Sequence, residues 1–211
     1  MTTNGVSIRE LPNHYPNTQE VYSVTVNGEQ IRTVVTKNAS TVDRWIEEIC
    51  SDLEMPMVGL DVEWKPAFYR GGVRGPIATL QLCVGCECLI FQMIHADEIP
   101  RSLHEFISEA YTFVGVGILD DVTKLRDDYD LNLVYALDVR SLAADLYGRK
   151  DFKNLGLMGL AEVVLGDEFE KPRNVTTSDW SRYRLTQEQI KYACVDAYVS
   201  FKIGKHLNVY F

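Results

Sequence analysis

Two runs of β-forming residues lie near the start of the chain, on either side of Asn27-Gly28. An Asn-Gly pair between two such runs is a strong signal for a hairpin with a two-residue turn. We therefore predict a β-hairpin over residues 20–36. Residues 1–19 are polar and include Pro12 and Pro16, so we predict a flexible segment ahead of the hairpin.

Strand and helix patterns follow one another along the rest of the chain. Apolar residues recur at helical spacing after Ser40, and Thr186 with Gln189 forms a capping-box pair ahead of a second long helical pattern. Between them, the pattern predicts strands over 57–64, 77–84, 88–93, 113–118 and 135–139, helices over 103–110 and 121–129, and helical stripes within 140–165. This order is typical of an α/β domain with a mixed central sheet flanked by helices. Because no linker or repeat interrupts it, residues 20–211 are predicted to form a single domain.

The composition is that of a globular protein, with 46% hydrophobic residues in 211. No apolar run approaches the ~18 residues that a membrane-spanning helix requires. The first residues lack the basic and apolar regions of a secretory signal. We therefore expect a nuclear or cytoplasmic protein with no membrane partner.

The five cysteines are an odd number in a chain without a secretory signal, which indicates free thiols. Cys83, Cys86 and Cys88 are close enough in sequence to suggest zinc. A structural zinc site needs four ligands, however, and no fourth ligand lies at a matching spacing. We interpret these cysteines as structural thiols.

The first candidates for chemistry are Asp61 and Glu63, on the strand predicted over 57–64. Side chains alternate across a strand, so both carboxylates point to the same face. Their neighbours Val58, Leu60 and Val62 are apolar, which indicates an interior strand where two like charges are costly to desolvate. Either cationic side chains or a hard divalent cation, which takes oxygen ligands, would offset these charges.

Two further segments of the chain, both predicted to be helical, carry acidic residues. Tyr192 and Asp196 are four residues apart on the helix that follows Thr186, and so share one face. The alternative is a half-buried tyrosine beside a solvated aspartate. Asp120 and Asp121 stand where another helix begins, and either could act only as a cap. Spacing does not choose between these two aspartates.

A strand, a turn and a helix could bring four carboxylates and a phenol into one cleft. Two divalent ions about 3.5–4 Å apart would neutralise such a cluster and stabilise an in-line phosphoryl displacement. The net charge of −9 counts against a protein that coats nucleic acid nonspecifically, because such proteins present basic surfaces. An enzyme that gathers acids around metal ions is compatible with this charge, and we expect basic groups near its cleft.

Five stretches occur in the order found in one known superfamily, whose core would cover roughly residues 55–207. They are Val58–Trp64, Ile77–Cys83, Val114–Asp121, Ser178–Ser181 and Leu185–Ala197. On these motifs the chain resembles the DEDD superfamily of 3′→5′ exonucleases, in its tyrosine-bearing (DEDDy) branch. Within that branch it is most similar to the group that contains the exonuclease domain of the Werner syndrome protein and its plant relatives.

The resemblance implies a ribonuclease H-like fold. It also implies a metal-dependent 3′→5′ exonuclease that hydrolyses terminal phosphodiesters of DNA or RNA and releases nucleoside 5′-monophosphates. The cofactors it implies are two divalent cations, Mg²⁺ or Mn²⁺. The hairpin at residues 20–36 lies outside the family core.

The resemblance also assigns roles to individual residues. Asp61, Glu63 and Asp196 would hold the first cation, with Asp61 bridging to the second. The family places its next aspartate three residues after the isoleucine of Val-Gly-Val-Gly-Ile, which selects Asp121 as support for the second ion. Tyr192 would orient or deprotonate the attacking water.

Three residues are candidates for substrate binding. Trp64 follows the first motif and would lie near the terminal nucleotide, or else is a core aromatic. Lys171 matches a basic residue of many relatives and is a candidate phosphate contact. Arg74, in a glycine-rich loop, is a candidate contact to the bound strand. For both cations the alternative is a solvated side chain.

The implied partner is a nucleic acid with a free 3′ end, and DNA and RNA present the same terminal phosphodiester there. A homo-oligomer and a separate helicase chain are further candidate partners. Two other functions remain open: a catalytically silent binding or scaffolding protein on the same fold, and an endonuclease of the ribonuclease H type. The second leaves Tyr192 and the motif around Trp180 without a role.

Overall fold

The computed structural model describes residues 5–52, 57–65, 75–109, 111–169 and 172–207. Its strands are β1 (Val6–Glu10), β2 (Gln19–Val26), β3 (Glu29–Thr36), β4 (Met57–Trp64), β5 (Ile77–Val84), β6 (Glu87–Phe91), β7 (Thr112–Gly115) and β8 (Ala136–Asp138). They form one mixed sheet of eight strands in the order β1-β2-β3-β6-β5-β4-β7-β8. The prediction of a mixed central sheet is therefore confirmed.

Helices cover both faces of this sheet. They are α1 (Ala39–Asp52), α2 (Arg101–Ser108), α3 (Ile118–Tyr129), α4 (Val139–Tyr147), α5 (Leu157–Leu165), α6 (Arg173–Thr176) and α7 (Gln187–His206). The apolar side chains of α1, α2 and α3 pack on one face, and those of α4 to α7 pack on the other. Among the helices of the described residues, none combines the length and apolar character needed to span a membrane.

The N-terminal strands confirm one prediction and correct another. β2 and β3 form the expected hairpin, and positive φ angles at Asn27 (52°) and Gly28 (87°) fit its two-residue turn. The flexible segment predicted over residues 1–19 is wrong for Val6–Glu10, which pairs antiparallel with β2 along its whole length. The reason is a short alternation, because Val6 and Ile8 pack against the core while Ser7 between them faces solvent.

The connection after β7 is tighter than the sequence predicts. The strand ends at Gly115, two residues later Gly117 takes a left-handed conformation (φ 76°), and α3 begins at Ile118. A Cβ atom built at Gly115 would lie 2.8 Å from the carbonyl oxygen of Leu60, so glycine lets β7 and its turn approach β4 closely. The earlier start of α3 places Asp121 in the first turn of that helix.

Strand directions bring several chain segments to one side of the sheet. β3 is parallel to β6, β6 and β4 are both antiparallel to β5, and β4 is parallel to β7 and β7 to β8. β1 is parallel to β3 as well, since both are antiparallel to β2. Six strands therefore end on the same side, which we call the carboxyl edge. It is marked by their last residues, Glu10, Thr36, Phe91, Trp64, Gly115 and Asp138.

Candidate metal centre

The centre is built where α7 crosses β4. Gly59, Asp61 and Glu63 alternate along β4 and so share the face on which α7 lies. A Cβ atom built at Gly59 would lie 2.1 Å from the carbonyl oxygen of Ala197 and 2.8 Å from the amide nitrogen of Phe201. Only glycine at position 59 permits this close approach of the two elements. Because α7 lies so near β4, Asp196 comes close to Asp61 and Glu63.

Three carboxylates meet at this crossing. One oxygen from each of Asp61, Glu63 and Asp196 lies within 4.8 Å of the other two. Asp196 is only 4% exposed, and the other two are half-buried. Gathering three like charges away from water is costly, and a hard divalent cation, which binds carboxylate oxygens, relieves that cost. The donor set therefore fits Mg²⁺ or Mn²⁺.

The cysteines form no comparable site. All five are free thiols, as predicted. Within the part of the chain that the structure describes, carboxylates lie close enough together to hold a metal ion, and no group of three cysteines does.

Tyr192 lies beside the carboxylates and is 5% exposed. Its ring packs 6.0 Å from that of the fully buried Trp180, at an interplanar angle of 51°. Burial raises the pKa of the Tyr192 phenol far above its usual value, and the negative charges of Asp196, Glu63 and Asp61 raise it further. The phenol is therefore neutral and donates a hydrogen bond to Asp196.

Asp121 points inward from the first turn of α3, and its neighbour Asp120 points to solvent. Asp121 is 9% exposed, and burial, followed by the charges of Asp120 and Asp138, raises its pKa to about 7. It lies at the carboxyl edge but is not one of the three carboxylates whose oxygens cluster within 4.8 Å. Its role as a metal ligand stays a prediction.

The sequence did not predict the hydrogen bonds of Asp138, which hold the start of α3 in place. The amide of Gly117 donates to Oδ2 of Asp138 (3.1 Å), and Nη2 of Arg140 donates to the same oxygen (2.6 Å). Burial alone would raise the pKa of Asp138, but hydrogen bonds from Arg140 and Gly117 hold it below its usual value. The sequence signal was an aspartate at a strand end followed two residues later by an arginine, which is too common to stand out.

Replacing the Asp138 carboxylate should lower the stability of the protein by an amount that depends on pH. Because its folded-state pKa is lowered, Asp138 stabilises the protein above its unfolded pKa and loses that contribution as pH falls through its folded pKa. We expect Asp138→Asn to lower the free energy of unfolding by about 2 kcal/mol at pH 7. The difference from the parent should shrink as pH falls toward the folded pKa, as measured by urea unfolding across that range.

The matched control is Asp145→Asn. Asp145 pairs with Lys153 at 3.5 Å, but its side chain is 76% exposed. Such surface pairs contribute roughly 0–1 kcal/mol, so this variant should resemble the parent at every pH. A gap for Asp138→Asn that stays constant with pH would show that its charge does not stabilise the fold.

Of the three predicted substrate contacts, the structure describes only Trp64. Trp64 is half-buried against the apolar cluster on the face opposite α7, with Nζ of Lys124 5.8 Å from its ring centroid. Arg74 and Lys171 lie outside the described residues. Binding roles for all three stay predictions.

Comparisons with known sequences identify the family of the chain. The sequence model of a 3′–5′ exonuclease family matches residues 37–210. A 3′–5′ exonuclease of Arabidopsis thaliana is 33% identical over 186 residues, which are 84% of this chain and 64% of the relative. The mouse bifunctional 3′–5′ exonuclease/ATP-dependent helicase WRN is 33% identical over 154 residues, 72% of this chain and 11% of the relative.

Solved structures give the same result. The EXD2 exonuclease domain aligns with a TM-score of 0.50 and 28% identity, covering 83% of this chain and 88% of that one. The EXO domain of Aedes aegypti Nibbler aligns with a TM-score of 0.69 and 19% identity, covering 82% and 85%. The latter supports the fold alone.

The chain belongs to the 3′–5′ exonuclease family. The resemblance seen in its motifs and the ribonuclease H-like fold that it implied are both confirmed. The chain spans 64% of the Arabidopsis relative and 11% of the mouse one. The match begins directly after the N-terminal hairpin, and the prediction that residues 20–211 form a single domain stays a prediction.

Proposed function

We propose that this protein is a metal-dependent 3′→5′ exonuclease that removes nucleotides one at a time from DNA or RNA. The observation that carries the proposal is the meeting of Asp61, Glu63 and Asp196 within 4.8 Å, beside the buried phenol of Tyr192. Support also comes from the EXD2 exonuclease domain, 28–29% identical, whose crystals were soaked in manganese with dGMP and with GMP.

We propose two divalent cations, Mg²⁺ or Mn²⁺, as cofactors. Asp61, Glu63 and Asp196 would hold one, and Asp61 with Asp121 would hold the other. When bound, such ions neutralise the carboxylates and the phosphate charge and lower the pKa of bound water. The buried position of Asp121 at the carboxyl edge favours it over Asp120, which faces solvent.

The proposed reaction is hydrolysis of the last phosphodiester. Water attacks the phosphorus of the terminal nucleotide, and the bond from phosphorus to the 3′ oxygen of the preceding nucleotide breaks. The products are a nucleoside 5′-monophosphate and a strand with a new 3′ hydroxyl. Tyr192, fixed by Trp180, orients the water by hydrogen bonding, and Trp64, Arg74 and Lys171 are proposed to contact the substrate.

Removing the phenol hydroxyl should slow the reaction without disturbing the carboxylates. We expect Tyr192→Phe to lower kcat by roughly 100-fold, within the range for a positioned proton-handling side chain, and to leave Mn²⁺ affinity unchanged. Tyr198→Phe is the control, since it removes a hydroxyl on the same helix that donates to Glu29 and not to the carboxylate cluster. Equal kcat for parent and Tyr192→Phe would remove Tyr192 from the mechanism.

A panel of oligonucleotides tests the activity itself. Single-stranded DNA and RNA labelled at the 5′ or the 3′ end are incubated with Mg²⁺ or Mn²⁺, or with EDTA. The proposal predicts labelled mononucleotides from the 3′ end, a 5′-labelled ladder that shortens stepwise, and no products in EDTA. Intact substrate would point to a binding or scaffolding protein, and internal fragments would point to an endonuclease.

Partners and location are also proposals. The mouse relative is named as both an exonuclease and an ATP-dependent helicase. We propose that a helicase supplies single strands to this exonuclease domain, and that the protein acts in the nucleus or cytoplasm.

A further inference from the structure

A cavity lies along the carboxyl edge, away from the carboxylates. It has a volume of about 300 Å³ and lies between the N-terminal strands and the loop that precedes α7. Its lining is polar and includes Glu20, Lys37, Gln92, Tyr183 and Arg184. The proposed hydrolysis leaves this cavity without a role.

The loop before α7 runs from the metal centre to this cavity and is held at several points. Nζ of Lys65, two residues after Glu63, lies 3.9 Å from Oδ1 of Asp179. Nε2 of His95 lies 2.8 Å from the carbonyl oxygen of Ser181, and Nε2 of Gln92 donates to that of Arg182 at 3.2 Å. These contacts fix the path of residues 179–183 along the sheet edge.

Tyr183 presents an aromatic ring to solvent at the end of this path. The residue is 63% exposed, yet Nζ of Lys37 lies 3.1 Å from its ring centroid and the ring of His95 packs against it at 5.3 Å. An exposed ring that is already held in place loses little conformational freedom on binding. Aromatic rings of this kind serve as stacking platforms for the bases of single-stranded nucleic acids.

Charged side chains of both signs lie around Tyr183. Nearby acids are Glu20 and Asp179, together with Asp97, which accepts from the amide of Ala39. The cations are Lys37, Lys65, Arg182 and Arg184. Two of these cations lie beside acids: Lys65 is 3.9 Å from Asp179, and Nε of Arg184 is 3.6 Å from Oε1 of Glu20. We call Lys37, Tyr183 and the loop between Asp179 and Arg184 the strip. Its cations can bind the phosphates of a nucleic acid, and its exposed aromatic ring can stack on a base.

The sheet also gives the spacing between this strip and the carboxylates. Lys37 follows β3, which is three strands away from β4 through β6 and β5. At about 4.8 Å between strands, the separation is roughly 14 Å. That is about four nucleotides at the stacked spacing of 3.4 Å, and fewer in an extended strand.

We propose that Lys37, Tyr183 and the loop between Asp179 and Arg184 bind single-stranded nucleic acid a few nucleotides upstream of its 3′ end. This inference rests on the proposed exonuclease function and extends it. The strip positions longer substrates and takes no part in bond cleavage. It also gives the N-terminal strands a function, because the chain that leaves β3 supplies Lys37.

Chain length is the variable that tests the proposal. We compare hydrolysis of a dinucleotide and a 12-mer, each as DNA and as RNA, by the parent, Tyr183→Ala and Lys37→Ala. For 12-mers, Tyr183→Ala should raise KM about tenfold, a modest effect for one stacked base, with kcat and dinucleotide hydrolysis unchanged. Lys37→Ala should also reduce the slope of log KM against log salt concentration by about 0.7, the value for one phosphate contact to a single strand.

Matched controls come from the opposite side of the sheet. Tyr135 is 55% exposed just before β8 begins, and Lys205 is exposed near the end of α7. Tyr135→Ala and Lys205→Ala should behave as the parent on both lengths. Equal effects of Tyr183→Ala on the dinucleotide and the 12-mer, or no effect on either, would overturn the proposal while leaving the exonuclease assignment standing.

A binding measurement tests this inference independently of the proposed exonuclease activity. Fluorescence anisotropy with a labelled 12-mer in Ca²⁺ needs no turnover. If Tyr183→Ala binds the 12-mer about tenfold more weakly than the parent, the strip binds single strands. That conclusion holds even if the parent shows no hydrolysis. Equal binding by the two proteins overturns it.

Discussion

Asp61→Asn and Asp196→Asn are each expected to reduce release of mononucleotides in Mg²⁺ or Mn²⁺ by about 10³-fold or more. Each change removes one of the charges that gather within 4.8 Å, and with it the affinity for a divalent cation. The fold should survive, because fewer like charges repel one another in the metal-free protein. Thermal unfolding in EDTA should show a Tm equal to or above that of the parent.

The control for this pair is Asp120→Asn. Asp120 is an aspartate at the same edge of the sheet, but it is exposed. The same change of charge there should leave the rate within about twofold of the parent, as expected for a surface substitution. If Asp61→Asn or Asp196→Asn digested a 3′-labelled oligonucleotide as fast as Asp120→Asn, the carboxylate cluster would not be the catalytic site.

Gly59→Ala is the second change with a large expected effect. The added methyl group would lie 2.1 Å from the carbonyl oxygen of Ala197 and 2.8 Å from the amide nitrogen of Phe201. Both are backbone atoms of α7, which cannot rotate away as a side chain could. Overpacking of this kind costs about 3 kcal/mol or more. Either α7 moves away from β4 or the protein unfolds more easily, and both outcomes displace Asp196 from Asp61.

Gly156→Ala is the matched control for the glycine. No atom lies within 4 Å of a Cβ atom built at Gly156, and its φ of −76° suits any residue. Urea unfolding should therefore separate the two alanine variants clearly, and Mn²⁺ affinity should fall only for Gly59→Ala. A Gly59→Ala protein with the stability and metal affinity of the parent would mean that the close crossing of α7 and β4 is not required.

Local patterns predicted much of this fold. Alternation along residues 57–64 placed Asp61 and Glu63 on one face, and the capping box of Thr186 and Gln189 is present as predicted. These signals work because strand and helix periodicity depend on neighbours in the chain. The edge strand at Val6–Glu10 was missed because two apolar residues among polar ones make a weak alternation.

Contacts between distant segments could not be predicted in this way. That Asp196 reaches Asp61 depends on Gly59 lying against Ala197, and no periodicity reports on that crossing. Asp120 and Asp121 are indistinguishable by spacing, and only the family resemblance selected Asp121 before the fold showed it buried. The contact between Lys37 and Tyr183 joins residues far apart in sequence, with a lysine and a tyrosine that each look ordinary alone.

The most direct measurement is anomalous scattering from a crystal soaked in Mn²⁺. Manganese is expected at metal–oxygen bonding distance from Asp61, Glu63 and Asp196, and absent from the same position in crystals of Asp196→Asn. Manganese bound elsewhere, or none at this position in the parent, would contradict a metal centre formed where α7 crosses β4.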